Sequence, residues 1–509
     1  MAVSWCIFSC VTLAADTRPN FLLITVDDMN TDSVGVYGAS VPETTPHIDQ
    51  LADAGLRFNR AHVQIANCTP SRNVMWSGRY PHTNKVEGFY QVGKPGYKTL
   101  SDFMQEAGYF TAIRHKVHSS TPYHPYNWDL ILDVDPAGVK LDRYDPRSYG
   151  VSTQRTIESA KAAGKPFSLT INIADAHSPF YGLDKEYKVV EDSNTPSRIY
   201  SADEVFVPGY LVDDPIIREE LSHYYSSVRR ADDAVGYILD TLQKSGEADN
   251  TVVMFISDHG MAFPFAKTQL YHHSTWTPLI FRWPESIKAG AVDGEHMVSA
   301  VDILPTLLEI AGATTPAGIE GRSFLPLLKG HAQSDRDKVF KEYHENSSGS
   351  RSPMRAVQSS KYLYIFNPWS DGSRKMDSAT FATNTFSRMM ELSGGDKELA
   401  QRMNLLRYRV PEEFYDVRKD PNCLVNLIAD PAYQKDIESL QESLRQHLEK
   451  TSDTALIPFV NRTDKTAIVA YMNEQDLSLQ RRRGWIQAIA KGMKSKSSSS
   501  NSEPKKTVD

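Results

Sequence analysis

A chain of 509 residues with 40% hydrophobic and 23% charged residues is too long for one ordinary core and too apolar for a disordered polymer, so it reads as globular, with two domains of unequal size. Its 56 basic and 63 acidic residues leave a formal charge of -7, which excludes a general nucleic-acid binder; a polyanionic substrate would need a local basic pocket.

The first element in chain order is MAVSWCIFSCVTLAA (1–15), an apolar stretch ending in small residues ahead of the polar DTRPN. It reads as a secretory signal peptide without the usual basic n-region, which points to a secreted or periplasmic protein. The plainer alternatives are a mis-assigned start or a frayed terminus, and lipid attachment at Cys10 fits poorly after IFS. No later segment has the roughly 18 uninterrupted apolar residues of a membrane span, so a soluble mature protein with no membrane span is expected. If the leader is removed, Cys6 and Cys10 go with it; Cys68 and Cys423 remain, far apart, with neither a disulfide framework nor a CxxC zinc pattern.

Four continuous apolar runs follow: NFLLITV (20–26), YFTAI (109–113), PFSLTINIA (166–174) and NTVVMFIS (250–257). Such runs suit strands buried on both faces. Helical patterns lie between them, in HIDQLADAGLRF (47–58), TLSDFMQEAG (99–108) and YYSSVRRADDAVGYILDTLQKSG (224–246), the last ending in a glycine suited to a helix C-terminus. The alternation predicts an α/β fold with a large, mostly parallel central sheet flanked by helices, over residues 16–335. After VDILPTLLEIAGA and GRSFLPLLKG the composition changes near residue 336. KVFKEYHE, MRAVQSSKYLYIFN and EEFYDV read as strands and DIESLQESLRQHLEK as a helix, predicting a smaller C-terminal α+β domain on an antiparallel sheet over residues 336–462. From residue 463 the pattern weakens into an extension whose end, KSKSSSSNSEPKKTVD, is expected to be disordered.

Ionisable residues follow each apolar run: Asp27 and Asp28 the first, Lys116 and His118 the second, Asp175 and His177 the third, Asp258 and His259 the fourth. In open α/β sheets ligands bind beyond the carboxyl ends of the strands, so the four ends point to one site. Adjacent carboxylates repel, and Asp27 and Asp28 with Asp258 as a third oxygen donor suit a hard cation, calcium or magnesium, better than zinc. The plainer reading of Asp27-Asp28 is a loop cap, and of His118 and His177 alone a structural histidine. His272 and His273 lack a zinc motif and read as structural or pocket-lining.

Cys68, taken by spacing alone, could be a thiolate nucleophile with a histidine base, which leaves the carboxylates unemployed. Its context, CTPSRNVMWSGR (68–79), resembles the signature of the sulfatase family, C-x-P-S-R-x-x-x-x-[ST]-G-R. The resemblance extends from Asn20 to about Pro458, through VDDMNTDSVGVYG, TPHIDQLADAG, SDHG, VDILPTLLEIAG, GRSFLPLLKG and EFYDVRKDPNCLVNL. It implies an alkaline phosphatase-like fold and a cysteine oxidised during maturation, by a formylglycine-generating enzyme, to formylglycine (3-oxoalanine), whose hydrate attacks sulfur with one hydroxyl and releases sulfate through the other. It also implies a calcium ion on Asp27, Asp28, Asp258 and His259, completed by the modified Cys68; many relatives have asparagine where His259 stands. Arg72 would hold the formylglycine hydroxyl, Lys116 and Lys267 the sulfate oxygens, and His118 would assist proton transfers of the hydrate. His177 would protonate the leaving group, a role suited to an imidazole. YHHSTWTP (271–278) departs from the Y-E-G-G-x-R-V-P of many members and puts substrate contacts there in doubt.

Within the family, FPFAKTQLYHHSTWTPLI, FVPGYLVDDPIIREELSHYYSSVRRADDAVG and YHENSSGSRSPMRAVQSSKYLYIFN are most similar to the N-sulfoglucosamine sulfohydrolases, the heparan N-sulfatases. By that likeness His344, Glu345 and Arg355 would line the sugar pocket; their plainer reading is a solvated loop and a strand-end salt bridge. The substrate implied is a sulfated carbohydrate, and a homodimer is compatible with the likeness. The rivals are an O-sulfatase acting on another sulfated polysaccharide, a phosphonate or phosphodiester hydrolase of the same superfold, and a catalytically dead carbohydrate-binding relative, which would be expected to have lost Cys68, Arg72 or the carboxylates.

Overall fold

The computed structural model describes residues 18–499. The expected leader, with Cys6 and Cys10, and residues 500–509 lie outside that range.

The strands, in chain order, are β1 (Asn20–Val26), β2 (Leu56–Phe58), β3 (Ala61–His62), β4 (Phe110–Arg114), β5 (Leu130–Ile131), β6 (Phe167–Ile173) and β7 (Thr251–Ser257). They continue as β8 (Leu279–Arg282), β9 (Ala291–Asp293), β10 (Val298–Ser299), β11 (Lys338–Glu345), β12 (Arg351–Ser359), β13 (Tyr362–Phe366) and β14 (Glu412–Asp416). Eight of them form one mixed sheet in the order β5-β4-β6-β1-β7-β8-β2-β9. Its centre is parallel, β4, β6, β1 and β7 running side by side, while β8 pairs antiparallel with β7 and β2.

The apolar runs are continuous because both faces of these strands are covered. Every residue of β1, β6 and β7 is buried. Along β1, Leu22, Ile24 and Val26 pack into one core with residues of the helices Pro146–Ala162 and Pro215–Lys244. Phe21 and Leu23 point into a second core with the Ile303–Ile310 helix. The sheet is thus the middle layer of three, as expected.

β11 to β14 form a separate four-stranded antiparallel sheet, backed by the Gln434–Lys450 helix, which buries Ile437, Leu440, Leu444 and Leu448 on one stripe. Three details depart from the sequence reading. The helical pattern at 47–58 stops at Asp53, and residues 56–58 are strand β2; Gly55 makes the turn, where a Cβ would collide with the Phe281 carbonyl. MRAVQSSKYLYIFN is two strands joined by a tight reversal at residues 360–361. The weak pattern after 463 becomes a helix, Lys465–Ser499, so the first residues of the expected disordered tail (494–499) end that helix. Among its described side chains, up to residue 483, only a few are buried, Tyr471 and Met472 among them, and several contacts are made through charge, which leaves a faint amphipathic signal. Among the described residues no helix is long and apolar enough to cross a membrane.

Candidate active site

Register brings the site together. Val26 lies level with Ile173 on one side and Ser257 on the other, and Arg114 lies level with Ile171. The residues that follow therefore leave the sheet side by side at its carboxyl edge. Asp28 has φ 55°, so the chain turns in the left-handed region immediately past β1. That turn lets two consecutive carboxylates face one pit instead of opposite sides of a strand. His115 and Lys116, at φ 60° and 50°, make the same kind of turn after β4.

Cys68 is the first residue of the helix Cys68–Ser77, with extended Asn67 as its N-cap, and all ten residues of that helix are buried. Its Sγ lies 3.4 Å from His259 Nε2 and 4.0 Å from Asp28 Oδ1. Burial alone would raise the thiol pKa, but Lys267, His259 and Lys116 hold it well below the usual range. The pit favours negative charge at this position. One helical turn on, the fully buried Arg72 guanidinium contacts Asp27, Thr25 and Asn172, and its Nη2 lies 3.2 Å from Asp258 Oδ2. Lys116 Nζ is 2.5 Å from Asp27 Oδ2, and Lys267 Nζ is 2.6 Å from Asp28 Oδ2. Ser71 Oγ donates to the Asp258 carbonyl at 2.7 Å, tying the helix to the end of β7.

Ligand atoms of Asp28, Cys68, Asp258 and His259 all lie within 4.8 Å of one another. Asp258 Oδ2 is buried without a hydrogen bond. Burial, with the charge of Asp27, pushes the Asp258 carboxyl up to about 7, whereas Asp258 and Asp28 outweigh burial to raise His259 to about 9. Two carboxylates, an imidazole and residue 68 converging in one buried pit form a donor set that fits a divalent cation. His259 Nδ1 bonds to the Gly260 carbonyl at 2.9 Å, which aims Nε2 at the cluster. Asp27, expected in the same shell, lies outside that group of four and faces Arg72 and Lys116, although its Oδ2, like that of Asp258, is buried without a hydrogen bond.

His177 reaches a cavity of about 320 Å³ whose floor includes Asp27 and Lys116; its Nδ1 bonds to the Ser178 carbonyl, which leaves Nε2 as the other ring nitrogen. His118 sits exposed at the rim on the short Val117–Ser120 helix, and among the described residues its ring has no bond to the cluster. His272 and His273 are structural: His272 stacks on Trp276 and bonds to Gln358, and His273 packs beside Tyr210.

The three expected sugar-binding residues have internal partners instead. Arg355, 2% exposed, pairs with Asp453 and Glu342; the Glu345 carboxylate meets Arg351 and Arg482; His344 lies between Glu87 and Glu342. A guanidinium already satisfied by two carboxylates has little left for a ligand. Glu345 still touches the site through its backbone, since Asn67 Nδ2 donates to the Glu345 carbonyl at 2.7 Å. Asn67, Thr25 and Asn172 were not singled out in the sequence; Asn172, polar within an apolar run, was the one signal available.

The sulfatase family model matches residues 19–313, more than half of the chain. The chain belongs to the sulfatase family. As a sulfatase it is a hydrolase of sulfuric esters or sulfamates. A second model, the C-terminal region of N-sulphoglucosamine sulphohydrolase, matches residues 258–371. The human N-sulphoglucosamine sulphohydrolase is 28% identical over 465 residues, covering 86% of this chain and 91% of that one. An ulvan-active sulfatase of Formosa agariphila is 25% identical over 472 residues, covering 87% and 76%. Among solved structures, one determined in complex with its substrate D-glucosamine-2-N,6-O-disulfate aligns with TM-score 0.65 at 19% identity, over 86% of this sulfatase and 99% of that chain. The phosphonate monoester hydrolase of Agrobacterium radiobacter aligns with TM-score 0.62 at 18% identity, over 85% and 96%. Both share the fold expected from the sequence.

Proposed function

We propose that this sulfatase removes sulfate, as sulfamate or sulfate ester, from a sulfated sugar in the manner of N-sulfoglucosamine sulfohydrolase, with Cys68 converted to formylglycine and calcium bound beside it. The observation that carries the reading is the position of Cys68: at a helix N-terminus, 3.4 Å from His259, in a pit walled by Asp28 and Asp258 and flanked by two lysines. The matches to human N-sulphoglucosamine sulphohydrolase over most of both chains, and to its C-terminal region, support the sugar and the sulfamate. A leader at 1–15 fits export, where a formylglycine-generating enzyme would act on the chain.

Asp28, Asp258, His259 and residue 68, with Asp27 beside them, would hold the calcium, which when bound supplies Lewis-acid polarisation of a sulfuryl oxygen. Formylglycine, once hydrated, supplies a hydroxyl to attack sulfur and a second to release sulfate, splitting one hard displacement into two. The chain's own residues do the rest. Arg72 is fixed by Asp27 and Asp258 and opposes negative charge next to residue 68. Lys116 and Lys267, each anchored on one aspartate, place an ammonium on either side of the sulfuryl group. His177, in the cavity, donates a proton to the leaving nitrogen or oxygen. His118, at the rim, can exchange protons with solvent.

The test is sulfate release by protein co-expressed with a maturation enzyme, on glucosamine sulfated at N2, at O6 or at both, and on an aryl phosphate. Release from the N-sulfated position, with a hydrazide-reactive aldehyde in the Cys68 peptide, is the expected result. Release only from O-sulfated sugars would move the assignment to an O-sulfatase, and preference for the phosphate to a phosphoester hydrolase. Full activity with an intact thiol would overturn the formylglycine. Calcium should also raise the melting temperature of chelator-treated protein, by about 2.7 kcal/mol of stability at a hundredfold excess over Kd. Asp258→Asn should lose that rise.

A further inference from the structure

The 320 Å³ cavity holds more positive charge than the sulfuryl group uses. Its floor includes buried Asp27 with Lys116 and His177; His115 and Tyr144 are half-buried in its lining, and Arg143 and Lys185 line it from exposed positions. Asp27, the one carboxylate lining it, is already neutralised by Arg72 and Lys116. Neither Arg143 nor Lys185 has a carboxylate partner among the described residues. The acids near them in sequence are engaged elsewhere: Asp142 accepts from Asn194 and the Tyr144 amide, and Asp145 caps the following helix through the Arg147 amide. Asp184 binds the amides of Glu186 and Lys188, and Glu186 pairs with Lys188.

The Arg143 side of this lining is also held in place. The Arg143 guanidinium lies 4.9 Å from the centre of the Tyr144 ring, and Arg230 lies 4.8 Å from the same ring. Arg230 is in turn fixed by a two-point pair with Asp175, at 2.8 and 3.0 Å, directly after β6. Tyr144 is thus a ring with two cations against it, the buried Arg230 and the exposed Arg143. His115, which burial lowers to about 3, adds a neutral ring and no charge.

We propose that Arg143 and Lys185 form a second anion-recognition point, so that the sugar accepted carries, besides the group removed, another acidic substituent: a second sulfate or a carboxylate. The proposal rests on the sulfatase reading of the floor. A volume at the small end of ligand pockets suits one sugar residue with its substituents, and a singly charged sugar would leave the outer cations unanswered.

The test measures binding by calorimetry to full-length Cys68→Ala protein in calcium, so that neither maturation nor turnover enters. The probes are glucosamine 2-N-sulfate, glucosamine 2-N,6-O-disulfate and an N-sulfated glucosamine linked to a uronic acid. At least one doubly acidic probe should bind about tenfold tighter than the monosulfate, a typical gain for one more charged contact at a half-open site. Arg143→Gln with Lys185→Gln should abolish that preference and change monosulfate affinity less than about twofold, and Arg143→Lys should keep part of it. Which probe gains identifies sulfate or carboxylate. Equal affinity for all three probes, equal weakening of all three in the double variant, or no binding of any overturns the proposal. A matured enzyme that discriminates the probes in binding but releases no sulfate would instead fault the catalytic reading.

Discussion

Arg72 joins the helix that begins with Cys68 to the strand ends that carry the aspartates. It is fully buried and touches Asp27 and Asp258, so removing it leaves two carboxylates desolvated and without that partner. Arg72→Met should cost about 3–5 kcal/mol by denaturant unfolding in addition to abolishing turnover, the usual size for breaking a buried ion pair. A loss of activity with unchanged stability would mean that Asp27 and Asp258 find other partners. At this scale the sequence was legible where chemistry follows pattern. Asp28, Asp258, His259, Lys116 and His177 each stand just past an apolar run and meet around one pit, and the segment from Cys68 to Arg79 carries the signature of the family. Arg143 and Lys185 were not legible, because they sit in loops whose polar residues look like any solvated surface. For His344, Glu345 and Arg355 the sequence left two readings, because a charged residue on a strand beside the site looks the same whether it meets a ligand or the internal partners seen here.

Among elements, the central strands were the most readable, since full burial on both faces writes an unbroken apolar run. The Lys465–Ser499 helix was the least. It is attached through Arg374–Asp476, Arg482 over the Tyr90 ring at 4.1 Å and onto Glu345, and Arg483 on the Ser348 carbonyl, contacts that leave little hydrophobic period. These contacts make it a brace for the β11–β12 loop. Arg482→Ala should destabilise the protein by about 1–3 kcal/mol, the worth of a hydrogen bond to a buried charge. Ending the chain after Asp464 should cost more, because Arg351 loses Gln475 and Glu345 loses Arg482 together. Thermal melts of both proteins beside the parent test this, and an unchanged truncation would show that the helix is passive.

Across the whole molecule the two sheets meet through buried charge as well as hydrocarbon. His82, shortly after the Cys68–Ser77 helix, bonds through Nδ1 to Glu342 of β11 at 2.7 Å. Burial disfavours the imidazolium, but Glu342 outweighs it and raises the pKa from 6.5 to about 9. The folded value lies above the unfolded one, so the contribution is complete below about pH 6.5 and is lost as pH rises through about 9. A shift of this size is worth on the order of 3 kcal/mol. The stability gap between the parent and His82→Gln should therefore be widest near pH 6 and closed near pH 10; a gap that does not narrow would show that Glu342 is not the partner that matters. The joint also bears on when the proposed formylglycine could be made. Cys68 is 3% exposed, its helix is wholly buried, and Asn67 is bolted to the Glu345 carbonyl of the second sheet. On the proposed formylglycine reading, a maturation enzyme would have to meet that sulfur before β11 docks, and chain that folded first would keep its thiol out of reach.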